Sequence, residues 1–280
     1  MEASAGCGRI CHANETTVGA VKIIAHRGAS GHHPEMTRDA FETAFAQHAD
    51  GIECDIQLSA DGVPVCLHDP TVDRTSDGSG PVNRKTLAEL RELNFGTHGR
   101  PQQILTLAEL LDLLRDAGNP AGDPGYRPEI FVETKRLGTF GERRGQLENA
   151  LQSALVRAGM ADGDDSARVH LISFDPGSLA RFRRINPDIH RIFLHRDYRG
   201  ERVLHRLEDA VVSAQSPGYS VTRMRTDPQS VTGEPANTYL FTLNREDDVK
   251  WACRHGVHWI ATDYPDRARD WAGGATRFPR

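Results

Sequence analysis

Four short stretches of the chain end in side chains that handle charge or protons. His26-Arg27 closes KIIAHR, Glu53 and Asp55 lie in GIECD, His68-Asp69 closes PVCLHD, and Glu133 and Lys135 lie in EIFVETK. Each is apolar before its polar end, so each reads as a strand whose exit carries the chemistry. Side chains two apart on a strand share a face. Glu53 and Asp55 therefore point together with Cys54 opposite, and Glu133 points with Lys135 while Thr134 turns away. Three carboxylates brought together repel unless they are protonated or neutralised by a cation. An oxygen-only set of this kind suits Mg²⁺ or Ca²⁺ better than zinc. His26 and His68 would flank it and exchange protons near neutral pH. Arg27 and Lys135 would supply the fixed positive charge that a phosphate needs. For one pair alone, such as Glu133 with Lys135, a plain strand-end ion pair is the simpler reading. Four stretches together favour a site, because barrel enzymes carry their chemistry at strand exits. His195, at the end of RIFLH, is a lesser candidate. His32 and His33 read as rim residues of the loop after the first stretch, where Gly28 and Gly31 let the chain bend.

Nine stretches read as strands: 22–26, 51–55, 64–68, 129–135, 169–174, 190–195, 210–215, 238–244 and 256–263. Helix signatures lie between most of them. Thr37 is an N-cap candidate before a face of Phe41, Ala44, Phe45 and His48. Thr86 with Glu89, and Thr106 with Glu109, read as capping boxes. The second box opens a stripe of Leu107, Leu110, Leu111 and Leu114. Leu147, Leu151, Ala154 and Leu155 form another stripe, with Gly159 following. Ala60-Asp61-Gly62 is too short to join parallel neighbours and carries a tight-turn dipeptide, so 51–59 and 63–68 are expected to form an antiparallel hairpin. Setting that returning arm aside leaves eight strands alternating with helices. This predicts a (β/α)8 TIM barrel with a β-hairpin extension after strand two. The helix signal is poor over 216–237. A loose tail is expected at 1–20, and a single barrel domain over 21–280.

The bulk composition narrows the function. The net charge of −5 leaves no strong positive field, so nucleic acid and anionic membranes are not expected partners. A small anionic substrate would need local positive groups or a metal. Five cysteines, Cys7, Cys11, Cys54, Cys66 and Cys253, include no zinc-like pair and read as reduced thiols. The first 20 residues show no apolar signal core, and no apolar run reaches the roughly 18 residues of a membrane span. A cytoplasmic location without stable membrane insertion is the expectation. Trp251, Trp259 and Trp271 read as packing between helices and barrel.

The stretch IIAHRGASGHHPEMTRDAFETAFAQHADGIECDIQLSADGVPVCLHDPTVDRTSDGSG resembles the opening of the glycerophosphodiester phosphodiesterase family, whose pattern runs HRG, PENT, E-x-D, DG, HD and RT. FVETK, LISFD, YLFTLN and GVHWIATDYPD are similar to later pieces of the same pattern, so the resemblance spans about residues 22 to 266. It implies a TIM barrel that uses Mg²⁺ or Ca²⁺ to hydrolyse glycerophosphodiesters, such as glycerophosphocholine or glycerophosphoethanolamine, to glycerol 3-phosphate and an alcohol. It also implies Glu53, Asp55 and Glu133 as metal ligands, His26 and His68 as the acid–base pair, and Arg27 and Lys135 as phosphate contacts. Within the family the neighbouring glycerol hydroxyl serves as nucleophile, giving a cyclic phosphate that water opens. His26 as acid and His68 as base is the preferred assignment. Met36 stands where the family has Asn, Phe241 where it has Trp, and His258 and Trp259 where smaller or acidic residues are usual; these bear on pocket shape and leaving group. Two alternatives are a lysophospholipase D or sphingomyelinase-D-like activity on the same barrel, and a non-catalytic protein that binds a phosphate ligand.

Overall fold

A computed structural model describes residues 21–117, 125–135, 145–195 and 214–273, so the expected tail at 1–20 lies outside the described residues. The strands are β1 (Lys22–His26), β2 (Gly51–Leu58), β3 (Pro64–Cys66), β4 (Glu129–Thr134), β5 (Val169–Ser173), β6 (His190–Leu194), β7 (Ser216–Ser220), β8 (Tyr239–Phe241) and β9 (Trp259–Thr262). Eight of them pair in parallel in the order β1-β2-β4-β5-β6-β7-β8-β9, and β9 pairs with β1 to close the ring. β3 runs antiparallel to β2, with Ile56 opposite Cys66 and Leu58 opposite Pro64. The turn between them places Gly62 at φ +83°, the left-handed conformation the Asp-Gly pair anticipates. The barrel with its hairpin arm is the architecture expected from the sequence.

The helices that clothe this ring follow their local signals. In α1 (Arg38–Ala46) the Thr37 hydroxyl accepts from the Ala40 amide, and Phe41, Ala44 and Phe45 are buried. His48 lies beyond the helix end, at φ +52°. Both expected capping boxes form, on α2 (Leu87–Arg91) and α3 (Leu107–Asp116). The four stripe leucines of α3, Leu107, Leu110, Leu111 and Leu114, are fully buried, each contributing about 1.5–3 kcal/mol of apolar burial. The stripe of α4 (Gln146–Ala158) is buried likewise, and Gly159 caps it at φ +70°. Short helices α5 (Gly163–Ser166) and α6 (Pro176–Ile185) flank β5. The chain closes through α7 (Val221–Thr226), α8 (Pro228–Val231), α9 (Glu246–Arg254) and α10 (Pro265–Trp271). Trp251 and Trp271 pack partly buried against an apolar cluster that includes Leu240, Val249 and Ile260, while Trp259 enters the barrel interior. Among the described residues no helix is long and apolar enough to cross a membrane.

The seventh strand corrects the sequence reading. It is Ser216–Ser220, whereas 210–215 was expected; of that stretch, 210–213 lie outside the described residues, and Ala214 and Gln215 precede the strand. Pro217 and Gly218 hide it, because both are poor strand formers. The glycine has a steric reason: a Cβ on Gly218 would lie 2.5 Å from the Leu194 side chain on the neighbouring strand.

Parallel register decides what faces inwards. Ile24, Phe131, Ile192, Tyr239 and Ala261 make the apolar middle of the barrel. Beneath it, at the strand starts, lies a polar chain absent from the sequence reading. Glu129 pairs with Lys22 and accepts from the indole of Trp259 at 2.9 Å. It also meets His170 Nε2 at 3.2 Å. His170 and His190 join through their Nδ1 atoms at 2.9 Å, and His190 Nε2 reaches the Ser216 hydroxyl at 2.9 Å. Burial opposes the ionised form of Glu129, but His170 and Lys22 outweigh it and bring the carboxyl down to about 2. Burial, with His170 and Arg191 nearby, brings His190 down to about 3.

Candidate active site

Above the apolar layer, at the C-terminal mouth, the register brings the predicted residues together. β1 sets His26 beside Glu53, and β4 sets Glu133 beside Asp55. The carboxylates of Glu53, Asp55 and Glu133 offer ligand atoms that lie within 4.8 Å of one another, all buried. Lys135 places its ammonium 2.6 Å from Asp55 Oδ1 and 2.5 Å from Glu133 Oε1. Arg27 sets Nε 3.2 Å from Asp55 Oδ2. The Arg27 backbone sits at φ +58°, which lets its amide donate to Glu53 Oε2 at 3.0 Å. A non-glycine residue in that region is strained, and such strain concentrates at functional sites.

The electrostatics match the crowding. Burial, then the Asp55 charge, raises Glu53 well above the usual carboxylate range. The same causes push Glu133 up to about 8. Burial would raise Asp55 as well, but Lys135 and Arg27 hold it below the usual range. A divalent cation fits these residues. The donor set is entirely carboxylate oxygen. Both Asp55 oxygens are buried and met only by cationic side chains, and the Lys135 ammonium already stands among the carboxylates as a positive charge.

Each predicted histidine is gripped by a carboxylate that the sequence reading left unassigned. His26 Nδ1 lies 2.7 Å from Asp263 Oδ1. Asp263 in turn accepts from the Asn244 amide and from the Ser30 hydroxyl. His68 Nδ1 lies 2.6 Å from Asp69 Oδ1. In both rings Nε2 is left as the nitrogen that can exchange a proton. Burial lowers His68 below the ordinary imidazole range, which favours its neutral form near neutral pH. The loop after β1 follows the glycine expectation for two different reasons. Gly28 sits at φ +79°, and a Cβ on Gly31 would lie 2.2 Å from the Tyr264 ring. On the rim His32 pairs with Asp266 at 2.9 Å. His195 takes no part in this cluster. Leu194 faces the barrel interior, and His195 stacks on Tyr219 with centroids 4.7 Å apart. Asp263, Asn244 and Asp69 all lie within motifs quoted for the resemblance, TDYP, T-x-N and HD, which is the signal that could have found them.

A mouth of this composition on a closed parallel barrel suits an enzyme that handles a small anionic ester with a divalent cation. Comparison with known proteins narrows the class. The family described as "Glycerophosphoryl diester phosphodiesterase family" matches residues 26–267. A Mycobacterium tuberculosis protein named "Probable glycerophosphodiester phosphodiesterase 1" is 34% identical over 285 residues, covering 95% of this chain and 99% of its own length. A glycerophosphodiester phosphodiesterase of Bacillus altitudinis is 30% identical over 256 residues, covering 88% and 96%. Among solved structures, a phosphodiesterase of Oleispira antarctica in complex with the product sn-glycerol-3-phosphate superposes with a TM-score of 0.75. That protein is 25% identical, and the match covers 89% of this chain and 96% of the other. The chain belongs to the glycerophosphoryl diester phosphodiesterase family.

Proposed function

We propose that the chain hydrolyses glycerophosphodiesters to glycerol 3-phosphate and an alcohol, with Glu53, Asp55 and Glu133 holding one divalent cation, Mg²⁺ or Ca²⁺. The observation that carries the reading is the convergence of these three buried carboxylates at the barrel mouth, with His26 in register beside Glu53. When bound, the cation supplies positive charge to a non-bridging phosphate oxygen. Arg27 and Lys135 bind the remaining phosphate charge, as a planar fork and as a point charge. His68, held neutral by burial, takes the proton from the glycerol hydroxyl that attacks phosphorus. His26, fixed at Nδ1 by Asp263, gives a proton from Nε2 to the departing alkoxide. The P–O bond to the new ring oxygen forms as the bond to the alcohol breaks. Water then opens the cyclic phosphate, with the two histidines exchanging roles. A cytoplasmic setting is proposed with it, since the buried thiols of Cys54 and Cys66, which face each other without a disulfide, suit a reducing compartment.

The test is a phosphodiester panel assayed with EDTA and then with Mg²⁺ or Ca²⁺ restored. Glycerophosphocholine and glycerophosphoethanolamine should be cleaved, activity should vanish in EDTA, and one ion should return it. A lysophospholipid turned over faster than either would move the assignment to the lysophospholipase D alternative. Binding of glycerophosphocholine without product at any metal concentration would move it to the non-catalytic one.

A further inference from the structure

Arg74 lies outside the cluster of reacting groups, and its side chain is 48% exposed. Its guanidinium is nevertheless the most heavily engaged group of the mouth. One edge grips Glu35, with Nη1 to Oε2 at 2.8 Å and Nη2 to Oε1 at 2.7 Å. The adjacent edge grips Asp69, with Nε to Oδ2 at 2.7 Å and Nη2 to Oδ1 at 3.0 Å. Each carboxylate then passes the constraint on. Glu35 Oε1 accepts from Arg27 Nη1 at 3.1 Å. Asp69 Oδ1 meets His68 Nδ1 at 2.6 Å. The result is an unbroken ladder, Arg27–Glu35–Arg74–Asp69–His68. Glu35 stands in the loop after β1. Asp69 and Arg74 belong to the excursion after β3, which has its own apolar cluster of Val65, Leu67, Val72, Val82, Leu90, Phe95 and Ile104.

We propose that Arg74 is a positioning residue: it locks the loop that carries Arg27 to the excursion that carries His68, and so fixes the phosphate contact and the proton acceptor in one frame. Two physical points support this. Bidentate pairing to two carboxylates at once uses four of the five N–H bonds in a planar fork, which a lysine cannot reproduce. Without Arg74, Glu35 and Asp69 would present two like charges to each other, because one nitrogen, Nη2, now holds an oxygen of each. Repulsion would then part the groups the ladder unites. In keeping with this, the Arg74 hydrogen bonds, against the pull of burial and with help from His68, hold Asp69 well below the usual carboxylate range.

The inference rests on the hydrolase reading, and the experiment separates the two. Arg74→Ala and Arg74→Lys are compared with wild type on glycerophosphocholine, alongside ¹⁵N NMR of the His68 ring and thermal melts. Both variants should lose kcat by roughly 10- to 100-fold, the scale of a misplacement near 1 Å, while KM rises by only a few-fold. Guanidinium at tens of millimolar, far below denaturing levels, should restore part of the kcat of Arg74→Ala and none of that of Arg74→Lys. The His68 ring signals should shift in both. The inference is overturned if Arg74→Lys restores full turnover, or if both variants keep kcat within twofold and leave the His68 signals in place. Should the wild type itself cleave no glycerophosphodiester, the hydrolase reading fails, and the His68 signals alone still decide whether Arg74 positions that ring. If Arg74→Ala does not fold, Arg74→Lys decides by the same readouts.

Discussion

Cation binding at the mouth should expel a proton. The perturbation is titration of Mg²⁺ or Ca²⁺ into metal-free protein. Burial and the Asp55 charge push Glu133 up to about 8, and Glu53 is raised by the same causes. At pH 7 a carboxyl with a value near 8 is about nine-tenths protonated, so Glu133 alone brings close to one proton to the site before the ion arrives, and Glu53 is shifted in the same direction. A ligating carboxylate must be ionised, so each ion bound at pH 7 should release at least about one proton. The apparent affinity should climb with pH below pH 8, by about tenfold per pH unit for each proton released. Isothermal titration calorimetry in buffers of different ionisation enthalpy measures the proton count directly. Asp55, held ionised by Lys135 and Arg27, contributes little to it. A count near zero at pH 7, with affinity flat from pH 6 to 8, would refute the argument that burial and crowding protonate this cluster.

Asp263→Asn keeps the size of the side chain but removes the carboxylate that grips His26 Nδ1 at 2.7 Å. A charge-assisted hydrogen bond is worth about 1.5–3 kcal/mol, so kcat should fall roughly 10- to 100-fold with the fold intact by circular dichroism. His26→Ala and His68→Ala should each cost on the order of 10²–10⁴ in turnover of glycerophosphocholine, and near-wild-type rates in both would remove them from the mechanism. Gly31→Ala drives a methyl into the Tyr264 ring at 2.2 Å; overpacking of about 1–3 kcal/mol should lower Tm by roughly 2–10 °C, read by calorimetry. The polar chain at the barrel floor should make the protein acid-labile. His190 is brought down to about 3 in the fold, so its contribution is present above the unfolded value near 6.5 and is lost as pH falls through that window, by up to about 1.4 kcal/mol per pH unit. Glu129, brought down to about 2, adds a loss below about 4.5 of the same sign. Denaturant melts from pH 7 to 3 should show His190→Gln with a flatter decline than wild type, and parallel curves would contradict this.

Much of the barrel could be read from local chemistry. β1, β2 and β4 announce themselves as apolar runs ending in charge, and Asp61-Gly62 identifies the antiparallel arm because so short a turn admits no other geometry. The alternation of strand faces grouped Glu53 with Asp55 and Glu133 with Lys135, and the parallel register sets Glu133 beside Asp55. β7 escaped notice because its inward position needs a glycine to clear Leu194, a demand set by a neighbouring strand that local propensity does not contain. The residues that hold the histidines were hidden for a related reason. Asp263 meets His26 across 237 positions of sequence, and spacing alone does not say which of many carboxylates closes on which imidazole. The floor of the barrel is similar: Glu129, His170 and His190 are plain strand-start residues until ring closure makes them neighbours.

The measurement that bears most directly on the central claim is a crystal structure of the protein with Mn²⁺ or Ca²⁺, located by its anomalous signal, paired with the EDTA assay on the same preparation. One ion coordinated together by oxygens of Glu53, Asp55 and Glu133, with activity lost on chelation and regained on its return, is the expected result. An ion bound elsewhere, or full turnover of glycerophosphocholine in EDTA with the three carboxylates still paired only to Lys135 and Arg27, would contradict it.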